Sequence, residues 1–255
     1  MKTLVMAVQK GGVGKTSILS HIAYDFAERG LRVLVVDLTQ AGAISQVMRM
    51  HGAMIGPDAV RLFAEGEAQW PGGKLGEIVV LPSSEQLSDL EGEITWETAN
   101  ELLRRHLEAL ADGFDVCLFD TDPTQGVCIS AALTVADFAL SPVKLDYLGL
   151  QGVERTFIAL GNVRRVNPEL EILGLLPSLV DMRVDHQVRG LAELREAYPD
   201  ETLPVQVALR NTVAEVMGEG TPVWKSPKTS ARKAAREMRD VAAYVHARMG
   251  LADME

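Results

Sequence analysis

A glycine- and lysine-rich run near the amino terminus has the residue types of a phosphate-binding loop. It lies between a strand-like apolar run and a helical stretch, which is the position that a phosphate cradle requires. Glycines allow consecutive backbone N–H groups to turn towards phosphate oxygens, and the following helix adds the positive end of its dipole. Lys15 supplies a positive charge for the β- and γ-phosphates, and the Thr16 hydroxyl is placed to ligate Mg²⁺. The residues predicted to contact the nucleotide here are Gly11, Gly12, Val13, Gly14, Lys15, Thr16 and Ser17.

Two aspartates stand where strand-like apolar runs end. Asp37 closes the run that begins at Arg32, and Asp120 closes the run that begins at Asp115. The carboxyl ends of parallel strands meet at one edge of an α/β sheet, and such sheets bind ligands at that edge. Asp120 is therefore predicted to hold Mg²⁺, directly or through a water molecule. Caps of the strand ends are the alternative for both carboxylates, but their shared edge favours a functional site.

The elements that must position these residues alternate between strand and helix along the whole chain. The predicted strands are Thr3–Val8, Arg32–Asp37, Glu77–Leu81, Asp115–Asp120, Phe138–Val143, Leu173–Val180 and Val205–Leu209. The predicted helices are Lys15–Arg29, Trp96–Ala111, Gly149–Val166, Asp185–Tyr198 and Thr229–Met249. This alternation indicates an α/β fold with a mostly parallel, twisted sheet covered by helices on both faces.

No stretch of the sequence resembles a linker between domains. We therefore expect one α/β domain over residues 1–255, with a basic helix at about 229–249 near its end. Because the sequence begins directly with the first strand, we expect no N-terminal helix-turn-helix domain.

The phosphate-binding run departs from the ordinary Gly-x-x-x-x-Gly-Lys-Ser/Thr pattern, since Gln9 stands where its first glycine would be. A second lysine, Lys10, opens the loop instead. This arrangement resembles the deviant Walker A motif of the ParA, Soj and MinD family of P-loop ATPases, and most of all the ParA/Soj-like DNA partition ATPases. Other stretches extend the resemblance from the first strand to about residue 245, namely Val35–Leu38, Phe114–Pro123, Ser141–Tyr147, Leu209–Glu215 and Gly220–Val223.

The resemblance implies a mechanism in which two ATP-bound subunits face each other. Lys10 would reach across to the partner's phosphates, so that nucleotide state controls association. Asp37 would lie near Mg²⁺ and the attacking water. The implied catalytic residues are thus Lys10, Lys15, Asp37 and Asp120, with Thr16, Asp37 and Asp120 at the metal and with ATP and Mg²⁺ as cofactors.

Three later residues match positions at which relatives contact the adenine base. These are Ser178, Leu209 and Asn211. The family usually has proline where this chain has Leu209, and a loop role without ligand contact is the alternative for these positions.

Two positions near the expected γ-phosphate depart from the family. Members of the resembled family usually have a second aspartate where this chain has Thr39, and a hydroxyl cannot act as a carboxylate base near neutral pH. We therefore expect slow basal hydrolysis. Asp122 stands where relatives have proline, and two interpretations stay open: Asp122 replaces the missing carboxylate, or it caps the following helix.

The end of the sequence is basic although the whole chain carries a formal charge of −10. Between Lys225 and Arg248, seven lysines and arginines stand against two acidic residues. Such a stripe suits phosphate contacts that ignore base sequence, while a merely solvated helix face is the alternative. Arg183 and Arg210 are secondary candidates, which could instead touch nucleotide or pair locally. The candidate DNA contacts are Arg183, Arg210, Lys228, Arg232, Lys233, Arg236 and Arg239, of which Arg232, Arg236 and Arg239 are spaced to share one helix face.

Composition and termini limit where the protein acts. Hydrophobic residues make up 47% and charged residues 24%, as in ordinary globular proteins. No apolar run approaches the roughly 20 residues of a membrane span, and we expect no secretory signal. The last residues are few and acidic, so we expect neither a membrane helix nor a lipid-binding one. The expected location is the cytoplasm, in association with the nucleoid.

The sequence thus predicts a ParA-like ATPase that dimerises with ATP, binds DNA nonspecifically and is reset when a ParB-like adaptor protein stimulates hydrolysis. Its task would be to partition or position DNA or another cargo. Two alternatives stay open: a weakly hydrolysing ATP-dependent scaffold, and a MinD-like positioning protein that does not bind DNA.

Overall fold

The apolar runs of the sequence assemble into a parallel β-sheet. The computed structural model describes residues 1–7, 11–66, 68–122, 126–145 and 147–252, and the side chains of all of these except 147–151. Within them the strands are β1 (Lys2–Met6), β2 (Val33–Leu38), β3 (Met54–Ile55), β4 (Ile78–Leu81), β5 (Val116–Thr121), β6 (Phe138–Lys144) and β7 (Glu171–Ser178). All paired strands run parallel, in the order β3-β4-β2-β5-β1-β6-β7.

Helices connect these strands and cover both faces of the sheet. They are α1 (Lys15–Glu28), α2 (Ala43–His51), α3 (Leu90–Glu93), α4 (Trp96–Leu110), α5 (Val127–Val135), α6 (Tyr147–Val163), α7 (Asp185–Ala197), α8 (Asn211–Gly218) and α9 (Ala231–Arg248). Short 3₁₀ turns lie at Ala59–Phe63, Glu85–Ser88, Ala111–Gly113 and Val223–Lys225. No helix in the described ranges is both long and apolar enough to cross a membrane.

The two-residue period of the strands divides the core into layers. Along β2, Val33 and Val35 pack on the side of α1, α2, α8 and α9, whereas Leu34 and Val36 pack on the side of α4 and α5. Strands buried on both faces read as continuous apolar runs, which is why β2 and β5 were visible in the sequence. A smaller cluster fills the space between β7, α6 and α7.

The predicted fold class is confirmed, and two kinds of difference remain. The stretch Val205–Leu209 was wrongly predicted to be a strand; it runs beside β7 but, among the described residues, pairs through a single isolated bridge that joins Val180 to Ala208. Pro204, which has no N–H to donate, directly precedes it. The short helices α2, α5 and α8 were missed because runs of eight or nine residues show little more than two turns of periodicity.

Candidate functional site

Two glycines give the phosphate-binding loop its shape. Gly12 and Gly14 have φ angles of 70° and 84°, in the left-handed region that residues with a Cβ rarely adopt. Gly14 is the N-cap of α1, so Lys15 begins the helix and Thr16 lies in its first turn. The helix N-terminus therefore points its free N–H groups at the carboxyl edge of the sheet, where an anion would be held. Lys10 and the two residues before it lie outside the described residues.

The Lys15 ammonium group is buried inside the site. Its side chain is only 9% exposed, and Nζ donates a hydrogen bond to the carbonyl oxygen of Thr121 at the end of β5. Burial lowers the pKa of Lys15, while the carboxylates of Asp120 and Asp122 act in the opposite direction. Among the described residues Nζ donates to this one carbonyl group, which leaves donor capacity for a phosphate oxygen.

Within the described part of the chain, Asp120 has one oxygen engaged in a hydrogen bond and one without a partner. Thr16 Oγ1 donates to Asp120 Oδ2 over 2.7 Å. Asp120 Oδ1 is buried and accepts no hydrogen bond from any described residue. Burial raises the pKa of Asp120 to about 7; Asp37 and Asp122 add to the rise, and the Thr16 bond opposes it. An orphaned carboxylate oxygen beside a threonine hydroxyl, with a lysine near, is an oxygen-donor set that fits Mg²⁺ and its bound water.

Asp37 lies on the neighbouring strand, in register with Asp120. Unlike Asp120, it is saturated with hydrogen bonds. Its Oδ1 accepts from the backbone N–H of Thr39 at 3.0 Å and from Thr39 Oγ1 at 2.7 Å. Its Oδ2 accepts from the backbone N–H of Ser45 at 3.1 Å and from Ser45 Oγ at 2.6 Å. Asp37 is therefore a fixed, fully buried negative charge beside the Asp120 carboxyl group.

The two departures from the family pattern have clear contacts. The Thr39 hydroxyl donates its only proton to Asp37 and accepts from the Gly42 N–H at 3.2 Å. Asp122 accepts from the Gln40 N–H at 2.8 Å. In the described residues, the helix cap expected as an alternative for Asp122 comes instead from Glu91, which accepts from Val127 N–H at the start of α5.

An apolar pocket adjoins the phosphate loop on the side of β7. It is lined by Gly14 and Ser17 together with Leu179, Leu209 and Met238 and has a volume of about 110 Å³. Ser178 also lines this pocket, but its hydroxyl donates to the Val13 carbonyl at 2.7 Å and so supports the loop. Leu179 holds a φ of 54°, which is unusual for a residue other than glycine.

Of the three candidate adenine contacts, Ser178 and Leu209 lie at this pocket. Asn211 lies instead in an adjoining open cleft of about 860 Å³, which Leu209 also lines. Leu179 was not predicted from the sequence, because a left-handed backbone conformation at a leucine leaves no pattern in the residue types.

The seven candidate DNA contacts divide into paired and exposed cations. Four of them are held by acidic residues, in the pairs Arg183–Asp181, Arg210–Glu237, Lys228–Glu215 and Arg239 with Asp25 and Glu28. Local pairing, the alternative weighed for Arg183 and Arg210, is what the structure has. The other three, Arg232, Lys233 and Arg236, are exposed, and no described residue forms an ion pair with them.

Arg239 does not lie on the solvent-exposed face of α9 together with Arg232 and Arg236, as the spacing predicted. Its guanidinium lies 3.8 Å from the centre of the Trp224 ring and pairs with Asp25, whose side chain is fully buried. Arg239 therefore fastens α9 to α1, while Arg232 and Arg236 face solvent. Periodicity placed the three arginines together but could not show which neighbour packs against one of them.

Known proteins resemble this chain over most of its length. A family model described as an AAA domain matches residues 1–172. Protein IncC of Escherichia coli is 43% identical over 258 residues, covering 98% of this chain and 70% of IncC. The chromosome partitioning protein ParA of Caulobacter vibrioides is 28% identical over 237 residues, covering 88% of this chain and 86% of ParA. The structure of cobyrinic acid a,c-diamide synthase from Mycobacterium smegmatis with bound ADP and magnesium is similar with a TM-score of 0.69, 25% identity and coverage of 100% of this chain and 98% of the synthase.

Proposed function

The chain belongs to the ParA/Soj/MinD family of P-loop ATPases, and on this premise we propose that it is a partition or positioning ATPase. ATP would join two copies into a dimer, the dimer would bind DNA without regard to sequence, and a ParB-like adaptor would reset it by stimulating hydrolysis. The observation that carries the proposal is the group formed by Lys15, Thr16 and Asp120 at the glycine loop, with an Asp120 oxygen that accepts no hydrogen bond from the described residues.

Each residue of that group has a part in binding the triphosphate. Lys15 would exchange the Thr121 carbonyl for a β- or γ-phosphate oxygen. Thr16 and Asp120 would hold Mg²⁺, which supplies charge neutralisation for the phosphates when bound. Asp37, already fixed by four hydrogen bonds, would orient water around that ion. The pocket at Leu179 and Leu209 would take the base, with Ser178 holding the loop rather than reading the ring.

The dimer is tested by molar mass measured by light scattering with ATP and Mg²⁺, with ADP and Mg²⁺, and without nucleotide. We expect the molar mass to double with ATP and Mg²⁺ and to stay that of a monomer in the other two conditions. DNA retention would follow the ATP dimer and fall steeply with salt, because nonspecific binding releases counterions. An unchanged mass in all three conditions would contradict the proposal, and a dimer without DNA affinity would favour the MinD-like alternative.

A scaffold with weak hydrolysis is the second candidate, and the Thr39 contacts favour it. The Thr39 hydroxyl donates its proton to Asp37, so this position, at which the family usually has an aspartate, would offer no base to the attacking water. We infer slow basal turnover. Hydrolysis that stays slow when the adaptor is added would support the scaffold, whereas a marked rise would support the partition cycle.

A further inference from the structure

We propose that Ser45 is a positioning residue of the magnesium–nucleotide site and acts through Asp37. The inference rests on the proposed function, because it concerns the same site. Ser45 is the third residue of α2 and is 5% exposed. Both its hydroxyl and its backbone N–H donate to Asp37 Oδ2, at 2.6 and 3.1 Å. Ser45 thus provides both described hydrogen bonds to Oδ2, while Thr39 provides two to Oδ1.

The hydroxyl of Ser45 is itself held in place from the neighbouring strand. The backbone N–H of Ser83, just beyond β4, donates to Ser45 Oγ at 3.1 Å. A hydroxyl that accepts there directs its single proton elsewhere, and Asp37 Oδ2 is the acceptor. The Ser83 hydroxyl donates in turn to the Thr39 carbonyl. The ends of β2 and β4 and the start of α2 are therefore closed into one ring of hydrogen bonds around Asp37.

This ring decides which way the Asp37 carboxylate faces. The outer torsion of an aspartate side chain is broad, so the carboxylate turns easily unless both oxygens are held. Asp37 lies in register with Asp120, and the Asp120 oxygen that has no partner among the described residues marks the place expected for the ion. Loss of the Ser45 hydroxyl would remove the shorter of the two bonds to Oδ2 and leave only the 3.1 Å bond from the Ser45 N–H, so that this oxygen is held less firmly relative to that ion. Groups that orient a metal-site carboxylate in this way typically change metal affinity or activity by about 10- to 100-fold when removed.

If Ser45 only stabilises α2, a different effect of its substitution is expected. Asp37 also serves as the N-terminal cap of α2, since Gly42 provides no side-chain cap. If Ser45 only secured that helix, its substitution would lower the melting temperature and leave the Mg²⁺ dependence unchanged. The Mg²⁺ concentration needed for half-maximal ATP binding therefore separates the two roles.

The experiment measures binding of a fluorescent ATP analogue to the full chain during a Mg²⁺ titration. For Ser45→Ala we expect the half-maximal Mg²⁺ concentration to rise about tenfold, with binding in EDTA unchanged. Ser45→Thr keeps the donor and should stay within about twofold of the parent. Ser45→Cys, which is near in size but a weak donor, replaces the alanine variant if that variant does not fold. Thr156→Ala is the matched control, because it removes a hydroxyl of similar exposure, 6%, whose hydrogen bond within the described residues is to the Gly152 carbonyl of α6.

Two results would overturn the inference. One is a Ser45→Ala titration that coincides with that of the parent and of Thr156→Ala. The other is a Ser45→Thr variant impaired as much as Ser45→Ala, which would assign the effect to packing rather than to the donor. A parent protein that does not bind the ATP analogue would instead contradict the proposed function itself.

Discussion

At the scale of single residues, the protonation and hydrogen bonding of a side chain depend on its burial as much as on its residue type. His21 illustrates this on α1, one turn after Ser17. Its Nδ1 lies 2.6 Å from the Ser17 carbonyl oxygen, and its Nε2 accepts from the Val223 N–H at 3.1 Å. The ring is fully buried between Tyr24 and Trp224. The neutral imidazole therefore joins the phosphate-loop helix to the segment that precedes α9.

This geometry predicts that stability is lost in mild acid. Burial lowers the pKa of His21 to about 4, although the Ser17 carbonyl opposes the shift. In the unfolded chain the imidazole takes up its proton near pH 6.5. Between those values the unfolded state binds more protons, so the free energy of unfolding falls as pH drops from about 6.5 to 4, by at most about 3 kcal/mol.

Urea denaturation at several pH values checks this prediction. His21→Gln keeps an amide donor and acceptor but cannot titrate, so it should flatten the pH dependence. His186→Gln, which removes an exposed histidine of α7, is the control and should keep the parent's slope. Equal slopes for His21→Gln and the parent would show that other groups cause the acid sensitivity.

At the scale of elements, α9 has two faces with different tasks. One face is buried against the sheet and α1 through Ala234, Met238, Val241 and Val245 and is fastened by Arg239. The other carries the exposed cations Arg232, Lys233 and Arg236. An arginine that pairs with a buried aspartate contributes to stability, whereas an exposed arginine without a partner is available to a phosphate.

Substitutions on the two faces should therefore separate stability from DNA binding. For Arg232→Ala with Arg236→Ala we expect unfolding free energy within about 0.5 kcal/mol of the parent. The slope of log affinity for DNA against log salt should shrink by about 2. Arg239→Ala should instead lower the free energy of unfolding by about 1–3 kcal/mol, because Asp25 loses a charged partner.

Salt-dependent fluorescence anisotropy with a short random duplex measures the first effect, and urea denaturation measures the second. A double variant with the parent's salt slope would assign DNA contact to another surface. A fully stable Arg239→Ala protein would mean that the apolar face alone holds α9 in place.

At the scale of the whole molecule, the proposed switch depends on two lysines with different positions. Lys15 lies inside the site of its own subunit. Lys10 lies outside the described residues, and its role across a dimer is a prediction from the family. The two lysines are close in sequence, yet they serve different steps if that prediction holds.

The variants Lys10→Ala and Lys15→Ala should therefore lose different steps, dimerisation in the first and ATP binding in the second. Lys15→Ala should lose ATP binding, since the β- and γ-phosphates lose their point charge. Lys10→Ala should bind ATP as a monomer and show no doubled mass by light scattering. A Lys10→Ala protein that dimerises with ATP as readily as the parent would contradict the switch.

The sequence by itself determined the fold class and predicted the centre of the site. Long buried strands leave unbroken apolar runs, and a glycine loop followed by Lys15 and Thr16 is a local pattern readable without coordinates. Asp120 was readable too, because it ends such a run.

Only the tertiary structure decided how those residues are supported. Ser45 and Ser83 reach Asp37 from other elements, Glu91 reaches the start of α5, and Asp25 binds Arg239 across the helix pair. These contacts join residues that the chain separates by up to 214 positions. The physical reason is that hydrogen bonds and ion pairs depend on distances in space. Hydrophobic periodicity predicts which residues are buried, but it does not predict which residues they contact.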